Sequence, residues 1–146
     1  MHDGLRRTWI ATPHIAGYSL DGKIGGLIMI YEAVCKHFGL SPEHTAADFL
    51  PEPSVPQIEL SADDSDDEAI LAQAVEAVYS IKADDAALRQ IEAEPPEKQG
   101  AYFDALRKNY PVRREFHNTR VVLDDSDASL AGKFQGIGFN TKRRES

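Results

Sequence analysis

The chain has 146 residues, 42% of them hydrophobic and 27% charged, enough to bury one ordinary core with an appendage. Its formal net charge of −8 speaks against a nucleic-acid partner, because phosphate-backbone binding is dominated by a basic surface. No apolar run approaches the roughly 20 residues of a membrane span, and the opening MHDGLRRTW lacks the hydrophobic stretch of a signal peptide, so no membrane partner and a cytoplasmic location are expected.

Residues Thr8 to Pro13 are β-prone and end at a proline that cannot donate to a ladder, which predicts a short strand entering the loop His14-Ile15-Ala16-Gly17-Tyr18. Ser19 is placed to cap a helix with Asp21 in its first turn. Ile24, Leu27, Ile28, Tyr31, Val34, Cys35 and Phe38 then recur at helical steps, predicting a helix over 20–38 that Gly39 stops. The lone cysteine, Cys35, falls inside that pattern and reads as a small buried hydrophobe.

Pro42, Pro51, Pro53 and Pro56 mark residues 41–56 as an extended linker. Beyond it, residues 57–60 alternate like a half-buried strand, and Ser65-Asp66-Asp67-Glu68 has the form of a capping box. A helix follows, with Ile70, Leu71, Ala74, Val75, Val78 and Tyr79 toward the core. The acidic run from Asp63 to Glu68 lacks the glycine and terminal glutamate of a calcium loop, and suits a helix N-terminus instead.

Helical patterns recur around 86–92 and 100–110, with Tyr102, Phe103 and Leu106 on one side of the second. A strand centred on Thr119 to Leu123 is expected within roughly 113–123, then a helix capped by Asp127 and containing Leu130 and Phe134, a short edge strand at 137–139, and a frayed tail at 142–146. These elements predict an α+β fold, a small two-layer sandwich over 57–141, preceded by a strand and a long helix over 1–40.

His14 sits between an expected strand end and a helix start, where a rigid scaffold presents loop side chains. An imidazole titrating near neutrality can take a proton from a hydroxyl and return it, which an alcohol-to-ketone hydride transfer requires. His37, His44 and His117 have no ligand spacing such as His-x-x-x-His, so no metal is expected. Arg107, Lys108, Arg113, Arg114 and Arg120 make a basic cluster suited to phosphate or carboxylate groups, or equally to pairing with Asp104, Glu115 or acids of a partner subunit.

The segment TPHIAGYSLDGK at 12–23 resembles the catalytic-histidine segment of the D-isomer-specific 2-hydroxyacid dehydrogenases. The stretches VYSIKADDAALR at 78–89 and FDALRKNYPVRREF at 103–116 resemble the C-terminal domain of one branch of that family, so the likeness spans nearly the whole chain.

The resemblance implies that His14 is the proton donor and acceptor, that Gly17 approaches the nicotinamide of NAD, and that Tyr18 contacts substrate. Among the cluster, Arg113 is the candidate to reach substrate. The branch oxidises the 2-hydroxyl of 4-phosphoerythronate in pyridoxal 5′-phosphate biosynthesis. The arginine that holds the carboxylate and the glutamate that supports the histidine have no counterpart in this chain.

The glycine-rich dinucleotide fingerprint has none either, for Gly136-Ile137-Gly138 lacks the third glycine and the strand-to-helix context. The expectation is therefore a C-terminal fragment of an NAD-dependent dehydrogenase. Residues 1–40 would end the catalytic region and 57–141 would mediate homodimerisation, the isolated chain being inactive; Tyr79, Tyr102, Phe103, Tyr110, Phe116 and Phe134 could line a dimer face, though more of them fit an ordinary core. The competing expectation is a free-standing interaction module in which His14 has no catalytic duty.

Overall fold

The computed structural model describes residues 2–60, 66–124 and 128–144. They form two compact units, each discontinuous in sequence: the first comprises residues 1–16 and 79–111, the second 17–78 and 112–146.

The first unit is helical: α1 (His2–Arg7), α4 (Ile81–Arg89), a 3-10 turn (Gln90–Ala93) and α5 (Gln99–Lys108). Thr8 to Pro13 is not the strand that its β-prone composition predicts. Its backbone groups are bound by side chains instead of a ladder: Arg89 Nη2 donates to the carbonyls of Thr8 (2.8 Å) and Trp9 (3.3 Å), and Ala11 N–H donates to Asp85 Oδ1 (2.8 Å). Arg89 and Asp85 bond each other at 2.7 Å one helical turn apart. Tyr102 donates its hydroxyl to the Ala87 carbonyl (2.8 Å), tying α5 to α4.

The second unit opens with α2 (Leu20–Phe38). Ser19 accepts from Gly22 N–H at 3.1 Å, and Gly39, at φ 68°, supplies the left-handed C-cap whose N–H reaches back to the Cys35 and Lys36 carbonyls. Both ends thus lie where the local sequence places them, and Cys35 is buried as expected.

A three-stranded sheet follows, β1 (Gln57–Glu59), β2 (Arg120–Leu123) and β3 (Asn140–Arg143), in the order β1-β2-β3 with both pairings parallel. Ile58 lies opposite Val121, and Val121 opposite Thr141. α3 (Asp67–Val78) and α6 (Ala128–Gly136) form the second layer. Their Ile70, Ala74, Leu130 and Phe134 close on Leu60, Val121, Leu123 and Phe139 to make the core. Phe139 stacks on Phe116 at 4.6 Å and meets Phe134 edge-on at 5.7 Å, geometries that aromatic quadrupoles favour. The unit is a small α+β sandwich, the class expected, but it takes in α2 and leaves out residues 79–111, which the expected span of 57–141 included.

Three details depart from the sequence pattern. The strand centred on residues 119–123 lies there, at Arg120–Leu123, but it does not reach back to 113, because a 3-10 turn at Phe116–Asn118 precedes it. The edge strand lies at Asn140–Arg143 and takes in the start of the expected tail, whereas Phe139, the apolar end of 137–139, turns into the core behind Gly138 at φ 102°. Tyr79 follows the end of α3 and belongs to the first unit. The caps expected at Ser65 and Asp127 lie outside the described residues.

Candidate functional site

His14 is the only non-glycine with positive φ (57°) among the described residues. Its N–H closes back on the Thr12 carbonyl at 2.8 Å, a tight turn that places an exposed imidazole between buried Pro13 and buried Ile15. Histidine tolerates the left-handed region better than most side chains. Anchored neighbours on both sides let the turn hold its ring outward. Among the described residues no carboxylate pairs with that ring.

Gly17 and Tyr18 open the second unit. Gly17 has φ 71°, and no atom lies within 4 Å of where a Cβ would stand, so conformation requires glycine there while the space above it stays open. Lys23 Nζ sits 4.0 Å from the centre of the Tyr18 ring, a cation–π contact that fixes the ring beside the first turn of α2. Arg113 meets the same turn through its backbone, its carbonyl accepting from Leu20 N–H at 2.8 Å. Gly17, Tyr18 and Arg113 thus converge on the start of α2, whereas His14 belongs to the first unit.

What holds that start in place was not legible in the spacing. Asp21 receives Arg114 Nε at 3.0 Å and Nη2 at 3.2 Å, the Glu115 backbone N–H at 2.9 Å and Asn118 Nδ2 at 2.9 Å. Arg114 also donates to Asn118 Oδ1 at 2.8 Å and to the Pro51 carbonyl. Both ionic side chains are nearly covered, 11% and 10% exposed. Burial raises the Asp21 carboxyl, but the hydrogen bonds from Arg114, Glu115 and Asn118 and the guanidinium charge outweigh it and bring the pKa down to about 2. Arg114 therefore pairs with neither Asp104 nor the Glu115 carboxylate, the intrachain partners that its neighbourhood in sequence offers.

The clamp forms one wall of an open groove of about 670 Å³, also lined by Pro51, Pro53, Gln57, His117 and Arg120. Among the described residues no group of three His, Cys, Asp or Glu side chains could hold a metal ion, and no helix is long and apolar enough to cross a membrane. Gly136-Ile137-Gly138 ends α6 and leads toward β3, the reverse of the strand-to-helix turn that cradles a dinucleotide pyrophosphate.

A family model described as "Domain of unknown function (DUF3410)" matches residues 49–138. The chain is also similar to proteins named erythronate-4-phosphate dehydrogenase. That of Marinobacter nauticus is 44% identical over 140 residues, 96% of this chain and 36% of the relative. That of Colwellia psychrerythraea is 44% identical over 133 residues, 91% of this chain and 31% of the relative. That of Pseudomonas putida is 43% identical over 129 residues, 88% of this chain and 34% of the relative. The chain spans about a third of the length of the curated relatives it matches, at their C-terminal part.

Proposed function

We propose that this chain, which belongs to the DUF3410 family, is the C-terminal part of an NAD-dependent dehydrogenase that oxidises the 2-hydroxyl of 4-phosphoerythronate to a 2-oxo acid, a step toward pyridoxal 5′-phosphate. The observation that carries the reading is the 44% identity to an erythronate-4-phosphate dehydrogenase over 96% of this chain. It includes the segment in which His14 stands on its outward turn.

In this reading the His14 imidazole would accept the hydroxyl proton while the C2 hydrogen leaves as hydride, and would return it in the reverse direction. NAD, when bound, supplies the hydride acceptor. The open space over Gly17 fits the close approach of a flat ring, while the pyrophosphate is held by polypeptide beyond this chain. Tyr18 and Arg113 face the substrate and its anionic groups. Residues 1–40 complete the catalytic region, 57–141 hold two subunits together as a homodimer, and the cytoplasm is the setting.

The test joins this chain to the first two thirds of the Marinobacter nauticus relative in place of that protein's own matching part. The hybrid is expected to form NADH from 4-phosphoerythronate, and His14→Asn to slow it about 10²–10⁴-fold without weakening NAD binding. The isolated chain is expected to run as a dimer in light scattering and to bind no NAD. A soluble hybrid indifferent to His14→Asn would overturn the reading. So would turnover by the isolated chain.

A further inference from the structure

Lys23 is an exposed cation whose charge no acid answers. Its Nζ rests 4.0 Å from the centre of the half-buried Tyr18 ring, and among the described residues it has no carboxylate partner. Asp21, two positions earlier, does not share its side of the helix and is already taken by Arg114, Glu115 and Asn118. Lys23 also stands at the fourth position of α2, near the end where the helix dipole disfavours a cation, so helix stability does not account for it. The backbone donors beside it are spent within the chain: Leu20 N–H on the Arg113 carbonyl at 2.8 Å, Gly22 N–H on Ser19 Oγ at 3.1 Å and Lys23 N–H on the Ser19 carbonyl at 3.2 Å. What this corner offers an incoming anion is the ammonium itself.

We propose that Lys23 is a substrate-binding residue whose ammonium takes the phosphate of 4-phosphoerythronate beside the Tyr18 ring. The proposal rests on the enzymatic reading above and deepens it, by naming the group that tells the phosphorylated acid from its unphosphorylated counterpart. A phosphate monoester carries about 1.5 to 2 negative charges at pH 7. A chain of net charge −8 repels such a ligand at long range. A cation not already neutralised within the chain offsets that repulsion where the anion lands.

The ring contact prepares the lysine for this role. A four-carbon side chain free in water samples many rotamers, and ordering it on binding costs entropy. Held against the Tyr18 face, the ammonium is already ordered, and its N–H donors remain available to phosphate oxygens. Tyr18 and Lys23 act as one unit: the ring sets where the charge stands, and the charge draws the ligand to the ring.

The experiment compares Lys23→Met and Lys23→Arg in the hybrid described above, with 4-phosphoerythronate and with erythronate, which lacks the phosphate. Lys23→Met is expected to raise KM for 4-phosphoerythronate about 10–100-fold, the range of a lost hydrogen bond to a charged group, while kcat and the kcat/KM for erythronate hold. Lys23→Arg, which keeps both the charge and the ring contact, is expected to stay near the parent hybrid. Inorganic phosphate should compete with 4-phosphoerythronate in the parent and far less in Lys23→Met. Binding is read separately by titrating 4-phosphoerythronate calorimetrically into the NAD-loaded His14→Asn hybrid with and without Lys23→Met, where the same loss of affinity is expected. An unmoved KM, equal competition by phosphate in the two proteins, or an equal loss for both acids would overturn the proposal, since a lysine that only props the Tyr18 ring costs both substrates alike. Turnover that ignores Lys23 removes only this residue's role. Lys23-dependent binding of 4-phosphoerythronate in a hybrid without turnover removes only the enzymatic reading, and a hybrid that binds neither acid overturns both.

Discussion

Asp21 and Arg114, 93 positions apart in sequence, meet through two parallel hydrogen bonds of 3.0 and 3.2 Å. The pair joins the first turn of α2 to the segment that enters β2. It is the point at which the sandwich holds the residues that follow His14, and most of the measurable consequences of the fold can be read from it.

Asp21→Asn leaves the Arg114 guanidinium nearly covered without a counter-charge. We expect a loss of about 2–4 kcal/mol, read as a lowered midpoint in urea. Arg114→Gln alone should cost a similar amount, and the double variant less than the two singles combined. Additive losses would show that the pair is not coupled.

The acid response follows from the same group. The folded value of about 2 lies below the ordinary 3.8, so the stabilisation is fully present above pH 4 and disappears as pH falls from there through about 2. It amounts to about 2 kcal/mol. The Asp85 carboxyl is also lowered, first by its hydrogen bond from Arg89 and then by the Ala11 N–H, and acts in the same direction. Urea midpoints measured from pH 6 to pH 2 should fall, and fall less steeply in Asp21→Asn. Parallel curves for the two proteins would rule out Asp21 as the source.

Gly39→Ala tests the helix stop. Nothing lies within 4 Å of a Cβ there, so the cost comes from φ alone, about 1 kcal/mol. Hydrogen exchange should quicken at the C-terminal turn of α2 while α3 and α6 keep their protection. Uniform quickening would mean that the cap supports the entire second unit.

Phe134→Ala removes a fully buried ring that touches Phe139 and should cost about 3–5 kcal/mol. Near-ultraviolet circular dichroism and urea unfolding report it, and a loss below about 1 kcal/mol would place the core elsewhere.

How much of this could be read from residues alone depends on the range of the forces involved. α2 was legible to the residue because Ser19 and Gly39 act on backbone groups within one turn of themselves. β1 and the core positions of α3 followed from periodicity. The segment Thr8–Pro13 misled because β propensity is a weak preference, and Arg89 and Asp85, some 80 residues away, claimed the carbonyls and the N–H that a ladder would have used. β3 was displaced because Asn140 to Arg143 is polar and mostly exposed, an edge strand without an apolar signature. Of the site, the His14 turn and Gly17 were visible as a motif. The Asp21 clamp was not, since nothing in local spacing connects a helix's first turn with an arginine 93 positions onward.

The order of the sheet has a consequence for how the chain acquires its shape. β2, the central strand, must find β1 across roughly sixty residues of intervening chain and without a hairpin to guide it. Between them lie α3, α4 and α5, all built on local contacts that form quickly. Helices that condense early shorten the effective tether and bring the two strands within reach, so the rate of sheet closure is set by sequence outside the sheet. On a ribosome, β1 emerges long before its partner and waits with one apolar side, Ile58, uncovered. The interval of greatest exposure to misassociation is the synthesis of residues 60–120, and substitutions that weaken α4 or α5 should reduce the yield of folded sandwich even where they leave its finished stability unchanged.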